Sequence, residues 1–215
     1  MRKVIVGAFV SMDGVMQAPG GPDEDPTGGF KYGGWVAPMA DTDPVFGEEI
    51  GALFGQPYDL LLGRKTYEIF AAHWPYAEGG PDDEIAKQFN RITKYVATRS
   101  GDFDTSWVNT VVLGNVGDVA KLKQGDGPPL ITQGSTELVH ALLAAGLVDE
   151  IRVFTFPVLL GKGKRLFDAS SQAAAYTLTS SKVVPNGEVQ HTTIRGAENP
   201  SKAELARREK LKREG

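Results

Sequence analysis

Cysteine is absent from all 215 residues, which excludes disulfides, zinc–thiolate and iron–sulfur sites, and a cysteine nucleophile. Histidine is nearly absent: His73, His140 and His191 share no metal-ligand spacing, so no metal site is expected. Long apolar runs are missing too. The stretch Val4–Val10 behind Arg2 and Lys3 is too short for a signal-peptide core and is interrupted by Asp13. No window approaches the roughly 20 apolar residues of a membrane span, so a cytoplasmic protein with no membrane partner is expected. An excess of positive charge is also lacking. With Lys+Arg 23 against Asp+Glu 27 and a net charge of −4, nucleic acid is not an expected partner. An anionic ligand would need a local basic site working against that field.

What is present is a balanced globular composition, 41% hydrophobic and 23% charged, of a length suited to one domain. Lys3–Val10 is continuously apolar and β-branched, as a central strand buried on both faces should be. Ser11 to Gly34 is a long loop rich in Gly, Pro and Asp, ending among Phe30, Tyr32 and Trp35; loops of such length are usually functional or disordered. Asp43-Pro44 opens a helix expected to run through Phe54, with Glu48 and Glu49 near its start. Further strands are expected at Tyr58–Leu62, Lys94–Thr98, Thr110–Leu113 and Pro129–Thr132, with helices at Thr66–Ala72, Pro81–Asn90, Val116–Leu122 and Leu138–Ala145.

The last third changes character. Val148–Leu160 reads as one long strand, and Tyr176–Val184 and Glu188–Ile194 flank the hairpin signal Asn186-Gly187. Residues 196–215 hold six basic and four acidic residues with little to bury, and read as a charged tail behind a domain of residues 1–195. Strand–helix alternation followed by strands alone predicts a three-layer α/β fold. Its sheet is mixed and mostly parallel, with helices on both faces and a C-terminal antiparallel hairpin.

Two junctions share one pattern of buried strand, small or basic turn and helix start: Leu60–Thr66 and Leu130–Thr136. At the carboxyl end of a doubly wound sheet, such turns offer free N–H groups and a helix dipole to a phosphate. Arg64, Lys65, Thr66, Ser135 and Thr136 add side-chain donors, and Arg99 a further charge. Neither junction is a P-loop, and no GxGxxG occurs. Asp13, between a buried strand and a Gly-rich loop, is the better candidate acid, with a plain Asp-Gly turn as the alternative. Phe30, Tyr32 and Trp35 either roof a flat ring or anchor the loop.

LLLGRKTYE (Leu60–Glu68) resembles the pyrophosphate-binding turn of dihydrofolate reductases. The run Ile131–Phe167 is similar to the C-terminal half of the RibD C-terminal-domain family, the reductases of riboflavin synthesis and their stand-alone relatives. Ser11-Met12-Asp13-Gly14 resembles that family's SxDG segment. The resemblance spans roughly residues 3–195 and implies a dihydrofolate-reductase-like fold.

It also implies an NADPH-dependent reductase of a small pyrimidine-like, pteridine-like or carbonyl substrate, similar to 5-amino-6-(5-phosphoribosylamino)uracil reductase and dihydrofolate reductase. Carried over, it implies cofactor phosphates on Gly63, Arg64, Lys65 and Thr66, and the adenosine 2′-phosphate near Thr98, Arg99 and Ser100. Gln133, Gly134, Ser135 and Thr136 would meet the pyrophosphate and nicotinamide side, with Gln133 standing where dihydrofolate reductases carry glycine. Asp13 and Glu48 are the candidate catalytic acids, and Gly14 and Trp35 the candidate substrate contacts. Relatives of this kind commonly pair, which implies a homodimer. A non-catalytic nucleotide-, flavin- or pterin-binding protein on the same fold is the alternative.

Overall fold

The computed structural model describes residues 1–40, 44–80, 82–100, 102–183, 190–198 and 213. The expected turn at Asn186-Gly187, the Asp43 helix start, Pro81 and almost all of the tail lie outside the described residues.

Among the described residues eight strands form one sheet. In chain order they are β1 (Val4–Ser11), β2 (Asp59–Gly63), β3 (Lys94–Ala97), β4 (Thr110–Leu113), β5 (Leu130–Gln133), β6 (Glu150–Phe156), β7 (Ala175–Val183) and β8 (Gln190–Glu198). The spatial order is β4-β3-β2-β5-β1-β6-β8-β7. The pairings from β4 to β6 are parallel, and β8 pairs antiparallel with both β6 and β7. The helices are α1 (Ala37–Ala40), α2 (Pro44–Phe54), α3 (Arg64–Ala71), α4 (Asp83–Arg91), α5 (Val116–Gln124) and α6 (Thr136–Ala144).

The strand sequences explain the layering. Alternate residues of a strand point to opposite faces, and β1 and β2 are apolar at every core position, so both of their faces can be covered. On one face Ile5, Leu60 and Leu62 pack with Leu53 of α2, Tyr67 of α3 and Phe89 of α4. On the other, Val4, Leu61 and Leu130 pack with Val119 of α5 and with Leu138 and Leu142 of α6. The expected three-layer α/β fold with a C-terminal antiparallel pair is what forms.

Two boundaries in the last third differ from the sequence reading. The expected strand Val148–Leu160 ends at Phe156, because Pro157 follows and the chain turns into an irregular segment. β8 runs on to Glu198, past the expected domain end at 195. Among the described residues the edge strands of the sheet are β4 and β7, with β6 lying between β1 and β8.

The loop after β1 is ordered by side chains rather than by secondary structure. The Gln17 amide donates to the carbonyls of Asp25 (2.9 Å) and Thr27 (3.0 Å) and accepts from the Lys164 N–H (3.0 Å). Trp35 Nε1 donates to the Gln17 carbonyl at 2.9 Å. The segment after β6 is thereby laced to this loop, and Val15 forms a bridge with Arg165.

Candidate functional site

All strands from β4 to β6 are parallel, so their carboxyl ends share one side, where ligands of such sheets bind. Four junctions there, after β4, β3, β2 and β5, join the β1 loop around a cleft of about 1190 Å³. Four inter-strand spacings separate β4 from β1, which makes the sheet about 19 Å wide along this edge.

The β2–α3 and β5–α6 turns are locked together by one hydroxyl. Ser135 Oγ accepts the Gly63 N–H at 2.9 Å and bonds Thr66 Oγ1 at 2.6 Å. A Cβ at 63 would stand 3.1 Å from that oxygen, so any larger residue there must push the Ser135 hydroxyl aside. Gly134 has φ 78° with nothing within 4 Å of an added Cβ, so its backbone turns an open face outward. Ser135 follows at φ 63°, a left-handed conformation that costs about 1–3 kcal/mol for a residue with a Cβ and clusters at functional sites. As the N-cap of α6 it makes no side-chain cap bond, since its hydroxyl is engaged across the cleft floor.

Thr98 and Ser100 form a tight turn, with Thr98 Oγ1 accepting the Ser100 N–H at 3.1 Å. Arg99 between them is exposed, as are Arg64 and Lys65. Arg64 lies 3.5 Å from Glu68, whereas Lys65 and Arg99 have no ion pair among the described residues. The structure therefore brings Gly63, Arg64, Lys65, Thr66, Thr98, Arg99, Ser100, Gln133, Gly134, Ser135 and Thr136 to one cleft.

The remaining candidates are not brought there. Asp13 accepts from Ser11 Oγ (2.7 Å), the Leu160 N–H (3.1 Å), the Gly161 N–H (2.9 Å) and Arg165 Nη2 (3.3 Å). The Ser11 hydroxyl foremost, with the Leu160 and Gly161 N–H groups, holds its carboxyl down at about 2 against the opposing effect of burial. It is an anchor for the segment after β6 and lies outside the cleft wall; the capping duty invisible in the sequence is supplied from about 150 residues away. Gly14, at φ 79°, accepts the Leu166 N–H in the same joint. Trp35 is 8% exposed, packs edge-on against Phe156 and anchors the loop. Glu48 is exposed on α2 and outside the cleft wall.

Groups missed by sequence reasoning take their place. Glu24, Asp25 and Lys164 line the β1 end of the cleft, and Asn115 its β4 end. Lys164 Nζ bonds Asp25 Oδ2 at 2.7 Å, and Asp25 also accepts from Thr27. Burial acts to raise the Asp25 carboxyl, but the Lys164 and Thr27 bonds outweigh it and leave it below the ordinary value. Glu24 is pushed the other way, chiefly by burial. The signal in the sequence was the Glu24-Asp25 pair within a long Gly/Pro-rich loop; its Lys164 partner is too distant in the chain to be read. Among the described residues no group of three His, Asp or Glu side chains could hold a metal, and no helix is long and apolar enough to cross a membrane.

Comparison with solved structures shows a dihydrofolate-reductase-like fold. A protein of Shewanella sp. PV-4 assigned to riboflavin biosynthesis superposes with a TM-score of 0.59 at 19% identity, covering 92% of this chain and 99% of its own. Dihydrofolate reductase from Enterococcus faecalis, in complex with NADP(H) and RAB-propyl, gives 0.51 at 13% identity, covering 92% and 97%. The sequence profile of the RibD C-terminal domain matches residues 2–189, and the chain belongs to that family. Relatives include the uncharacterized proteins YyaP and YwjB of Bacillus subtilis (strain 168). YyaP is 28% identical over 88% of this chain and 93% of its own length; YwjB is 26% identical over 84% and 91%.

Proposed function

We propose that this protein is an NADPH-dependent reductase of a small heterocyclic or carbonyl substrate. The observation that carries the reading is the distribution of charge in the cleft. The turns after β2 and β3 present Arg64, Lys65 and Arg99, two of them without an acidic partner among the described residues, while the chain as a whole is net negative. A field of that sign confined to the turns at the carboxyl ends of adjacent strands suits a ligand with several phosphates. A width of about 19 Å across the strand ends suits an extended dinucleotide with room for a second, smaller molecule. The open, left-handed Gly134 gives a phosphate or ring close approach to the backbone.

In this reading Gly63, Arg64, Lys65 and Thr66 hold the pyrophosphate, with Ser135 and Thr136 closing on it from the β5 side. Thr98, Arg99 and Ser100 take the 2′-phosphate. When bound, the dinucleotide supplies a hydride. The chain's own part is to fix that dinucleotide along the strand ends and leave the acceptor toward β1, where Phe9 and Val36 supply an apolar wall.

The test is a comparison of dissociation constants. NADPH is expected to bind more tightly than NADH, and Arg99→Ala to weaken NADPH about ten-fold or more with little effect on NADH, the loss expected for one charge-assisted contact. Equal affinity of the unmodified chain for the two cofactors overturns the assignment of that turn. NADPH oxidation over a panel of aminouracil, pteridine and aldehyde acceptors then tests turnover.

A further inference from the structure

The cleft is electrically divided. Its cations, Arg64, Lys65 and Arg99, project from the turns after β2 and β3, whereas Glu24 and Asp25 sit at the β1 end with Lys164. Asp25 has its donors assigned, from Lys164 and from Thr27. Glu24 does not. Its Oε2 accepts the N–H groups of Gly20 (2.6 Å) and Gly21 (3.2 Å), and among the described residues Oε1 has no partner. The carboxyl is thus held by its own loop through one oxygen, and the residue lines the cleft with the other oxygen free of donors from the described residues.

Resting on the reductase reading above, we propose that Glu24 is the catalytic acid, touching the hydride acceptor and giving it the proton that reduction requires. The acceptor then carries a C=N or C=O bond at the β1 end of the cleft. Its carbon gains the hydride carried by the reduced nicotinamide, and its heteroatom gains the proton as the Glu24 O–H bond breaks. The acceptor is reduced by two electrons as the nicotinamide is oxidised, and the Glu24 carboxylate is re-protonated from water.

The surroundings suit that duty. Burial lifts the Glu24 carboxyl above the ordinary glutamate value, and the neighbouring Asp25 charge adds in the same direction. The Gly20 and Gly21 N–H groups oppose them, and the Lys164 cation is engaged by Asp25. A bound ring filling the cleft removes more water and raises it further. Among the described residues lining the cleft, the other carboxyls are the Lys164-paired Asp25 and the exposed Glu137 at the start of α6. Asp25 is held below its ordinary value by Lys164 and Thr27, and Glu137 stands at the β5 turn rather than at the β1 end.

The experiment uses the full chain and two readouts. With glutamate labelled at its carboxyl carbon, the resonance missing in Glu24→Gln identifies Glu24, and its titration is followed with NADPH bound. It is expected to titrate above the other glutamates; titration together with them overturns the proposal. With the best acceptor of the panel, Glu24→Gln is expected to lower kcat about 10²–10⁴-fold with KM and NADPH affinity nearly unchanged. Gln keeps an oxygen for the Gly20 and Gly21 N–H groups, so full turnover in this variant overturns the proposal. If Glu24→Gln fails to fold, Glu24→Asp, which retracts the carboxyl by one methylene, is expected to lower kcat while NADPH still binds. Absence of NADPH binding to the unmodified chain overturns the reductase reading and this proposal with it. Tight NADPH binding with an ordinary Glu24 titration overturns the role of Glu24 alone.

Discussion

Single side chains divide here between those that build the cleft and those that face it, and the two carboxyls of the β1 loop illustrate the difference. Asp13 meets three groups of the 160–165 segment and is held as an anion at about 2, below its ordinary 3.8. A carboxyl with a depressed folded value stabilises the protein at every pH above the unfolded value, and that contribution fades as pH falls through the folded one. Asp13→Asn is therefore expected to cost about 1 kcal/mol at neutral pH after solvent screening, with the difference from the unmodified chain shrinking between pH 4 and 2. Urea denaturation across that range checks it, and a constant difference would refute the anchor role. Ser135 is the matching residue in the cleft floor. Ser135→Ala keeps the left-handed strain but removes the bonds to Gly63 and Thr66; it should destabilise by about 1–2 kcal/mol and weaken NADPH. Unchanged thermal stability would show that the two turns do not depend on that hydroxyl.

Among the elements, the join of α4 to β3 carries the least usual group. Lys94 is fully buried, donates to the Phe89 and Asn90 carbonyls at the end of α4, and lies 4.4 Å from the centre of the Trp107 ring. Lysine near a helix C-terminus complements the dipole, but burial pushes this amine down to about 8. Below pH 8 the amine is charged in both states and its burial costs stability. From there to its unfolded value of 10.5 the unfolded chain binds the extra proton, so stability attributable to this group rises with pH. The unmodified chain should therefore gain stability relative to Lys94→Met between pH 8 and 10, as read from denaturation midpoints. Parallel curves would show that Lys94 does not titrate in that range.

At the scale of the molecule, the sheet ends among the described residues in two edge strands. β4 exposes Val111 and Val112, and β7 exposes Leu178 at 60% and Val183 at 64%. Edges of this kind attract another strand unless covered. A second copy on β7 is the expected cover, giving a particle of twice the 23.1 kDa chain mass. Light scattering at micromolar concentration should show that mass for the unmodified chain and the single-chain mass for Leu178→Lys. A monomeric unmodified chain would refute the expectation.

The apolar strands Val4–Val10 and Leu60–Leu62, the helix starts behind them and the Gly-Arg-Lys-Thr and Gly-Ser-Thr turns are local patterns, so the sequence alone determined the layered α/β class and the cationic half of the cleft. Its cationic wall follows directly from strand order, because parallel neighbours must open their turns on the same side. The acidic half was decided only by tertiary structure. Nothing in the chain near Asp13 shows that Leu160 and Gly161 will consume its charge, or that Lys164 will neutralise Asp25 and leave Glu24 facing the cavity. Those partners are separated by well over a hundred residues, and a carboxyl's chemistry is set by burial and by the donors that reach it, which exist only once the loop after β1 and the segment after β6 have folded onto each other.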